Sequence, residues 1–426
     1  MLFLLRVVIL ICYRPVVNNM TNKDIIMAAF RVWGRDLYQT TSLTHVSREL
    51  GVSKAALYRH FKDKDALLDA MNASYFDDFS DFIKAGYEKA LSTEDSTESL
   101  FIMMRTISEF YIRNKEVFVY SLVKAFNQDK NSMGNELRNR GIDFLRLIPG
   151  NKGFYPSEIQ LIMSTNVFSI SQFHLLSQKT VLTDDEVKKA IAQIERRIKK
   201  GLELDEKKVI SLDFNSLEKQ ASLIPHNETE NNALLLAVAE AVAEAGPWNA
   251  SMEMVAKRSG LSKSGLYAHF KSKEDMLEQL FITEFTRIVD FAKAQIATSE
   301  IPEEQLYLGI ISIIYYLRSR PEILMSMDWV KSSQHKLGRE MPVRLYGIIK
   351  DIKLDVIQRN DLHYLVWVAQ WILFLIINTL AWWPPRDKPC FPSESKIWAK
   401  NAVKVPNESF RVLFRFIALG LEGLKS

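Results

Sequence analysis

The sequence predicts an all-α protein built from two similar halves, and three observations support this fold class. Apolar residues recur at helical spacing along most of the chain, a 30-residue segment occurs twice, and the composition is that of a globular protein. Hydrophobic residues make up 47% and charged residues 25% of the 426 residues, which excludes a disordered or fibrous chain. At about 150 residues per domain, this length indicates two to four domains.

Charge and cysteine content narrow the class of protein further. Lys plus Arg is 55 and Asp plus Glu is 51, a net charge of +4. This balance excludes a uniformly basic nucleic-acid binder but allows a local basic surface. Cys12 and Cys390 are the only cysteines, so the sequence excludes a disulfide framework and a thiolate metal cluster, and we expect no cofactor. A reducing cytoplasm is the expected location.

The first 19 residues are apolar, but their length argues against a membrane span. Arg6 interrupts the run after five residues and Arg14-Pro15 ends it, short of the roughly 20 residues that a spanning helix needs. No small-residue cleavage site follows, which disfavours a secretory signal. We expect residues 1–19 to be a dispensable tail or to precede a true start at Met20, with a membrane anchor as the alternative.

A second apolar run, residues 362–383, is long enough to cross a bilayer. It contains His363, Gln370 and Asn378, and no cluster of Lys or Arg marks a cytoplasmic flank. Helices at the centre of a large bundle are also apolar on all sides. We therefore expect a buried helix, with a membrane span as the alternative.

An internal repeat organises the chain. Residues 42–71 align with residues 251–280 without a gap, at a constant offset of 209. The same offset places the helix-spaced apolar residues from Ile25 opposite those from Leu234, which gives each copy a first helix. A repeat of this separation indicates a duplicated domain. Twelve of the 30 positions are identical, namely Ser42, Val46, Gly51, Ser53, Lys54, Leu57, Tyr58, His60, Phe61, Lys62, Lys64 and Leu68 with their partners.

Each copy continues into a region of long predicted helices, and both regions end alike, in Gly201-Leu202-Glu203 and in Gly420-Leu421-Glu422. The polar composition of residues 203–232 indicates a linker between the halves, and prolines in residues 384–394 exclude a helix there. The expected helices cover residues 76–91, 99–120, 157–177 and 184–201 in the first half and 276–296, 304–318, 362–381 and 408–424 in the second.

Within each repeat, the residue types specify two short helices joined by a tight turn. Serines are good helix N-caps, and a glycine after the first short helix supplies the left-handed residue that ends it. This is helix-turn-helix construction, in which the second helix enters the DNA major groove. The N-cap and turn residues are Ser42, Gly51 and Ser53, the last expected to open a helix over residues 53–61, and in the second copy Ser251, Gly260 and Ser262.

The motif L-Y-x-H-F-x-x-K follows in both copies, at residues 57–64 and 266–273. Together with the helix before it, this segment resembles the DNA-binding domain of the TetR family of bacterial repressors. The resemblance implies a three-helix DNA-binding domain followed by a larger helical domain that binds a small effector and dimerises. A family chain ordinarily carries one such unit. Two units in one chain leave two arrangements open, an intramolecular pseudo-dimer and a homodimer of the whole chain.

The resulting domain assignment follows the repeat. It places a tail at residues 1–19, helix-turn-helix domains at 20–72 and 233–281, helical effector and dimerisation domains at 73–222 and 282–426, and a linker at 223–232.

The residues expected to bind double-stranded operator DNA form two matched sets. Helix-start serines and lysines suit phosphates, while exposed positions of the second helix suit base edges. The resemblance implies DNA-backbone contacts for the tyrosines and for the lysine that opens the following helix. The first set is Ser42, Ser53, Lys54, Ala55, Ala56, Tyr58, Arg59, His60 and Lys64; the second is Ser251, Ser262, Lys263, Ser264, Gly265, Tyr267, His269 and Lys273.

The two recognition helices are similar but not identical. Arg59, a potential guanine donor, aligns with Ala268, and Ala55-Ala56 align with Ser264-Gly265. We therefore expect an imperfect palindrome with unequal half-sites.

The helical domains contain many aromatic residues that suit either a core or a ligand pocket. An apolar or aromatic effector is the expected ligand. Its candidate contacts are Phe110, Phe168, Phe173, Trp329, His363, Trp367, Gln370, Trp371 and Asn378.

The sequence therefore predicts a ligand-responsive transcription regulator, expected to be a repressor. The alternative is an adaptor protein in which one or both copies no longer bind operator DNA, since fold does not fix function. The sequence contains no Gly-rich phosphate loop, HExxH or CxxC motif, so an enzyme is not expected.

Overall fold

A computed structural model of the chain describes most of both halves. Within the described residues the regular structure is helical, without strands, which confirms the all-α prediction. Trp329, the tail at 1–19 and the proline-rich segment at 384–394 lie outside the described residues. The described residues are 20–35, 42–126, 133–147, 155–177, 179, 181–223, 230–245, 249–320, 323–324, 346–358, 361–382 and 404–425.

In the first half, the single helix expected over residues 99–120 is divided at Asn114 between α5 and α6. The helix expected over residues 76–91 begins twelve residues earlier, at Lys64, and the helices expected over 157–177 and 184–201 are present with limits that differ by a residue. The helices are α1 Asn22–Arg35, α2 Leu43–Leu50, α3 Lys54–Tyr58, α4 Lys64–Leu91, α5 Ser96–Arg113, α6 Lys115–Phe126, α7 Met133–Asn139, α8 Pro156–Leu176 and α9 Asp184–Lys200.

The second half repeats this order. The last predicted helix ends at Leu419 and continues as a 3₁₀ turn, Gly420–Leu424. The helices are α12 Glu230–Ala245, α13 Met252–Ser259, α14 Lys263–Tyr267, α15 Lys273–Ile296, α16 Pro302–Ser319, α17 Asp355–Gln358, α18 Leu362–Trp382 and α19 Asn407–Leu419.

The segment between the halves differs from the expected irregular linker, because it forms α10 Glu206–Ile210 and α11 Phe214–Ala221. We refer to residues 206–221 as the inter-half strap. Its Glu218 is buried and accepts hydrogen bonds from Arg411 at 2.7 Å, Tyr307 at 2.7 Å and Asn407 at 2.9 Å. Burial alone raises the pKa of Glu218, but these hydrogen bonds lower it below its ordinary value. The strap is therefore anchored on the second half.

The chain divides into two compact units, and their limits do not follow the halves. The first unit consists of the described parts of Met1–Glu88 and Asn114–Phe144. The second consists of the described parts of Lys89–Arg113 and Leu145–Ser426. Helices α5, α8 and α9 of the first half therefore belong to the same unit as the whole second half.

Within the second unit, α8 and α9 pack against α18 and α19. We refer to this packing as the seam. The indole N–H of Trp371 donates to the hydroxyl of Thr165 at 3.1 Å, and both side chains are fully buried. Phe168 lies 5.4 Å from the ring of Trp367 and 5.5 Å from that of Phe374. The seam is thus an apolar core with a satisfied buried indole.

At one end of the seam the two Gly-Leu-Glu segments cross, backbone against backbone. Gly201 has φ 55° and Gly420 has φ 66°, a region that favours glycine. A Cβ on Gly201 would lie 2.5 Å from the carbonyl oxygen of Ile417, and one on Gly420 would lie 2.4 Å from the carbonyl carbon of Lys199. We refer to this contact as the glycine crossing. Only residues without a side chain fit it.

Helix α18 is the one helix of the described residues that is long and apolar enough to span a membrane. In its most apolar window, 61% is buried inside the protein, and it packs on α8 through Trp371. This packing is consistent with the predicted core helix.

Candidate nucleic-acid interface

The first helix-turn-helix is built by local hydrogen bonds that its sequence specifies. Gly51 ends α2 with φ 69°, and the N–H of Val52 donates to the carbonyl of Ser47 at 3.0 Å. Ser47 is buried at the crossing. The hydroxyl of Ser53 then accepts the N–H of Ala56 at 3.1 Å and caps α3. The predicted turn and cap are confirmed.

The second copy uses the same devices. Ser251 accepts the N–H of Met254 at 3.3 Å, and Gly260 ends α13 with φ 70°. Ser262 accepts the N–H of Gly265 at 3.0 Å and caps α14. Equivalent residues therefore produce equivalent backbone geometry in both helix-turn-helix domains. We refer to these domains, at residues 20–72 and 233–281, as the first and second heads.

The recognition helices are shorter than the predicted nine residues. Helix α3 ends at Tyr58, with Arg59 as its C-cap. Beyond it Phe61 enters the core, and its N–H still donates to the carbonyl of Leu57 at 3.1 Å, as in a last helical turn. The exposed positions in the first head are Lys54, Ala55, Tyr58 and Arg59, with Ala56 half-buried, and in the second head Lys263, Ser264 and Tyr267, with Gly265 half-buried.

The lysine predicted to bind phosphate opens the next helix in both heads. Asp63 caps α4 by accepting the N–H of Ala66 at 2.7 Å, and Ser272 caps α15. The Lys64 ammonium lies 5.8 Å from the ring centre of Trp33. Partial burial lowers the pKa of Lys64. Both lysines, Lys64 and Lys273, are half-buried at a helix start, where the helix dipole favours an anion.

The two heads differ at the lysine that opens the recognition helix. In the second head, Lys263 forms an ion pair with Glu253 of α13. The pairing raises the pKa of Lys263 and lowers that of Glu253. The first head has Thr44 at the position of Glu253, and its Lys54 lies 5.6 Å from the ring centre of Tyr58. Sequence reasoning missed Glu253, although the aligned repeat shows the acid opposite Thr44.

The histidine that both copies share occupies different surroundings in the two heads. His60 is half-buried, and its Nδ1 is 2.7 Å from the side-chain oxygen of Asn22, at the start of α1. His269 is exposed. In the first head this residue therefore ties the first helix to the end of the recognition turn.

Each head joins its first two helices by an ion pair, but the charges are reversed. Arg31 of α1 pairs with Glu49 of α2 at 3.1 Å. In the second head, Glu244 of α12 pairs with Arg258 of α13. Arg258 aligns with Glu49, so equivalent positions carry opposite charges.

The predicted effector residues do not form one site. Phe110, Phe168 and Trp371 are buried in the core, and Gln370 and Asn378 are half-buried on α18. Three others, Phe173, His363 and Trp367, line an open cleft of about 920 Å³ in the second unit. Sequence reasoning missed Arg197, Gln172 and Gln193 in this cleft. Arginine and glutamine are ordinary residues on a helix surface, so the sequence does not distinguish these three from solvent-exposed positions.

The geometry of both heads defines a helix-turn-helix DNA-binding protein. Residues 25–71 and residues 234–280 each match the family model described as "Bacterial regulatory proteins, tetR family". The chain therefore carries two tetR-type DNA-binding domains in tandem. Comparison with curated proteins finds no match.

Proposed function

We propose that this chain is a cytoplasmic repressor that binds an imperfect palindrome as an intramolecular pseudo-dimer and is released by a small effector. The proposal rests on the two capped helix-turn-helix segments, each of which exposes a lysine and a tyrosine on its recognition helix. Such helices suit phosphate and base contacts in a major groove.

The seam supports the pseudo-dimer. In a two-fold dimer, the same patch of each subunit contacts its equivalent. Here the equivalent patches come from one chain, since α8 and α9 pack against α18 and α19 and Gly201 meets Gly420. On this proposal, the surface that a second subunit would cover is occupied within the chain.

The charge difference between the heads supports unequal half-sites. Arg59 aligns with Ala268, and Lys263 is paired with Glu253 whereas Lys54 has no carboxylate within 4 Å among the described residues. The first head therefore presents more uncompensated positive charge to DNA, and affinity for phosphate rises with that charge.

The test is the salt dependence of operator binding by Lys64→Ala and Lys273→Ala. Each variant should bind more weakly, and the slope of log K against log salt should fall by about one per lost phosphate contact. Circular dichroism controls for folding, because Lys64 also packs on Trp33.

The same experiment distinguishes the proposed repressor from the alternative, an adaptor protein that does not bind operator DNA. If neither substitution changes the affinity or the salt slope for any DNA duplex, the chain is not an operator binder and the adaptor function is the better conclusion. If only Lys64→Ala has an effect, the second head does not contribute and the pseudo-palindrome is wrong.

A further inference from the structure

The cleft that contains Phe173, His363 and Trp367 lies in the seam, and its walls come from both halves. Helices α8 and α9 form one wall and α17 and α18 the other. Its volume of about 920 Å³ is in the range of small-molecule sites. The aromatic part of the lining is Phe173, Tyr364 and Trp367.

Arg197 of α9 is the principal charged group of the cleft. Its guanidinium lies 4.9 Å from the ring centre of Trp367 and 5.4 Å from that of Tyr364. It donates to the carbonyl of Gly201 at 2.7 Å and to the hydroxyl of Tyr364 at 3.0 Å. A guanidinium has five N–H donors, so three remain without a hydrogen-bond partner among the described residues. Its side chain is half-buried.

The acids of the cleft do not neutralise Arg197. Glu203 pairs with Arg196 at 2.7 Å. No carboxylate lies within 4 Å of Arg197 among the residues that the structure describes. A half-buried, unpaired cation attracts an anion more strongly than an exposed one does.

Two amide side chains add hydrogen-bonding capacity. Gln172 and Gln193 line the same cleft, and their amides form no hydrogen bond to another described residue. An amide N–H₂ can donate to a carboxylate oxygen that Arg197 leaves open. Aromatic faces, a guanidinium and amide donors together suit a flat, anionic molecule.

We propose that the seam cleft binds a planar aromatic carboxylate, with the carboxylate on Arg197 and the ring against Trp367 and Phe173. Binding itself is independent of DNA, and only its regulatory consequence rests on the proposed function. A ligand held from both halves favours one arrangement of the halves, and it shifts operator affinity by its differential affinity for the two arrangements.

The test is calorimetric titration of the full chain with 1-naphthoate, with the neutral 1-naphthalenemethanol and with the cationic 1-naphthylmethylamine. The naphthoate should bind about tenfold or more tightly than the alcohol, because charge-assisted hydrogen bonds are stronger than neutral ones. Arg197→Met should remove this preference. Equal affinity for the three compounds, or no binding of the naphthoate, would overturn the proposal.

A matched pair of surface variants locates the site without disturbing the core. Leu176 lines the cleft and is 73% exposed, whereas its neighbour Leu175 is 75% exposed and does not line it. Leu176→Glu should weaken naphthoate binding about fivefold through charge repulsion, and Leu175→Glu should leave it unchanged. Equal effects of the two substitutions would overturn this location.

Fluorescence anisotropy of labelled operator DNA, titrated with the protein in the presence and absence of naphthoate, tests whether the ligand changes operator affinity. A changed operator affinity supports it, and an unchanged affinity with the cleft occupied overturns it while the ligand site stands. Failure of the ligand-free chain to bind any operator instead contradicts the proposed function, and the calorimetric result is unaffected.

Discussion

At the scale of single residues, the ion pair between Glu253 and Lys263 has the most direct consequence for DNA binding. The first helix of a helix-turn-helix crosses the DNA backbone and the second enters the groove. An acid on the first helix therefore repels phosphate and also competes for the lysine that should bind it. If Lys263 binds phosphate as proposed, both effects should weaken the second head relative to the first.

Glu253→Thr, which copies Thr44 of the first head, should strengthen operator binding about tenfold at low salt and increase the salt slope by about one. The reciprocal Thr44→Glu should weaken binding by a similar factor. Fluorescence anisotropy over a salt series measures both. Binding that is indifferent to Glu253→Thr would show that Lys263 does not approach DNA.

Residue roles were predictable where they depend on local chain geometry. The caps Ser53 and Ser262 and the turn glycines Gly51 and Gly260 follow from hydrogen bonds and dihedral angles within a few residues. The aromatic partners of Arg197 could not be predicted, because they lie on a helix more than 160 positions away, as its bond to Tyr364 shows.

At the scale of secondary-structure elements, the seam depends on a close backbone approach. The glycine crossing brings the end of α9 within van der Waals contact of the end of α19. Both glycines also have positive φ. Any side chain there requires backbone movement as well as strain, so the element packing is sensitive to a single methyl group.

Gly201→Ala or Gly420→Ala should each lower the free energy of unfolding by at least about 3 kcal/mol, since strain and overlap add. Gly260→Ala is the matched control in the same unit. Its φ is 70°, but nothing lies within 4 Å of a Cβ there, so its cost should be about 1–2 kcal/mol. Chemical denaturation measures the three variants, and equal losses would refute the role of the crossing.

Helix positions were largely predictable from apolar periodicity, as α8, α9 and α18 show. The inter-half strap was not. Its Lys- and Glu-rich composition resembles a linker, and its order depends on the tertiary contacts of Glu218 with Arg411 and Tyr307. The cleft escaped prediction for the same reason, because it exists only where two halves meet.

At the scale of the whole molecule, the proposed pseudo-dimer would change the thermodynamics of operator binding. Two heads on separate subunits must first associate, whereas covalently joined heads have an effective concentration in the millimolar range. Operator affinity should then be independent of subunit association.

Light scattering should give about 49 kDa for the chain, its calculated mass being 49.1 kDa, and one chain per operator duplex. The operator dissociation constant should not change when the protein is diluted far below micromolar concentration. A particle of twice this mass, with affinity lost on dilution, would favour the homodimer that the sequence left open.

The reversed ion pairs of the heads bear on how a chain with two similar domains folds correctly. Tandem repeats risk exchanging equivalent helices during folding. At the offset of 209, Arg35 aligns with Glu244 and Glu240 aligns with Arg31. If α1 docked on α13 in the same register, Arg35 would therefore take the place of Glu244 opposite Arg258; if α12 docked on α2, Glu240 would take the place of Arg31 opposite Glu49. Like charges penalise both exchanges. The opposite polarity of the two ion pairs therefore disfavours exchange of the first helices between the two heads.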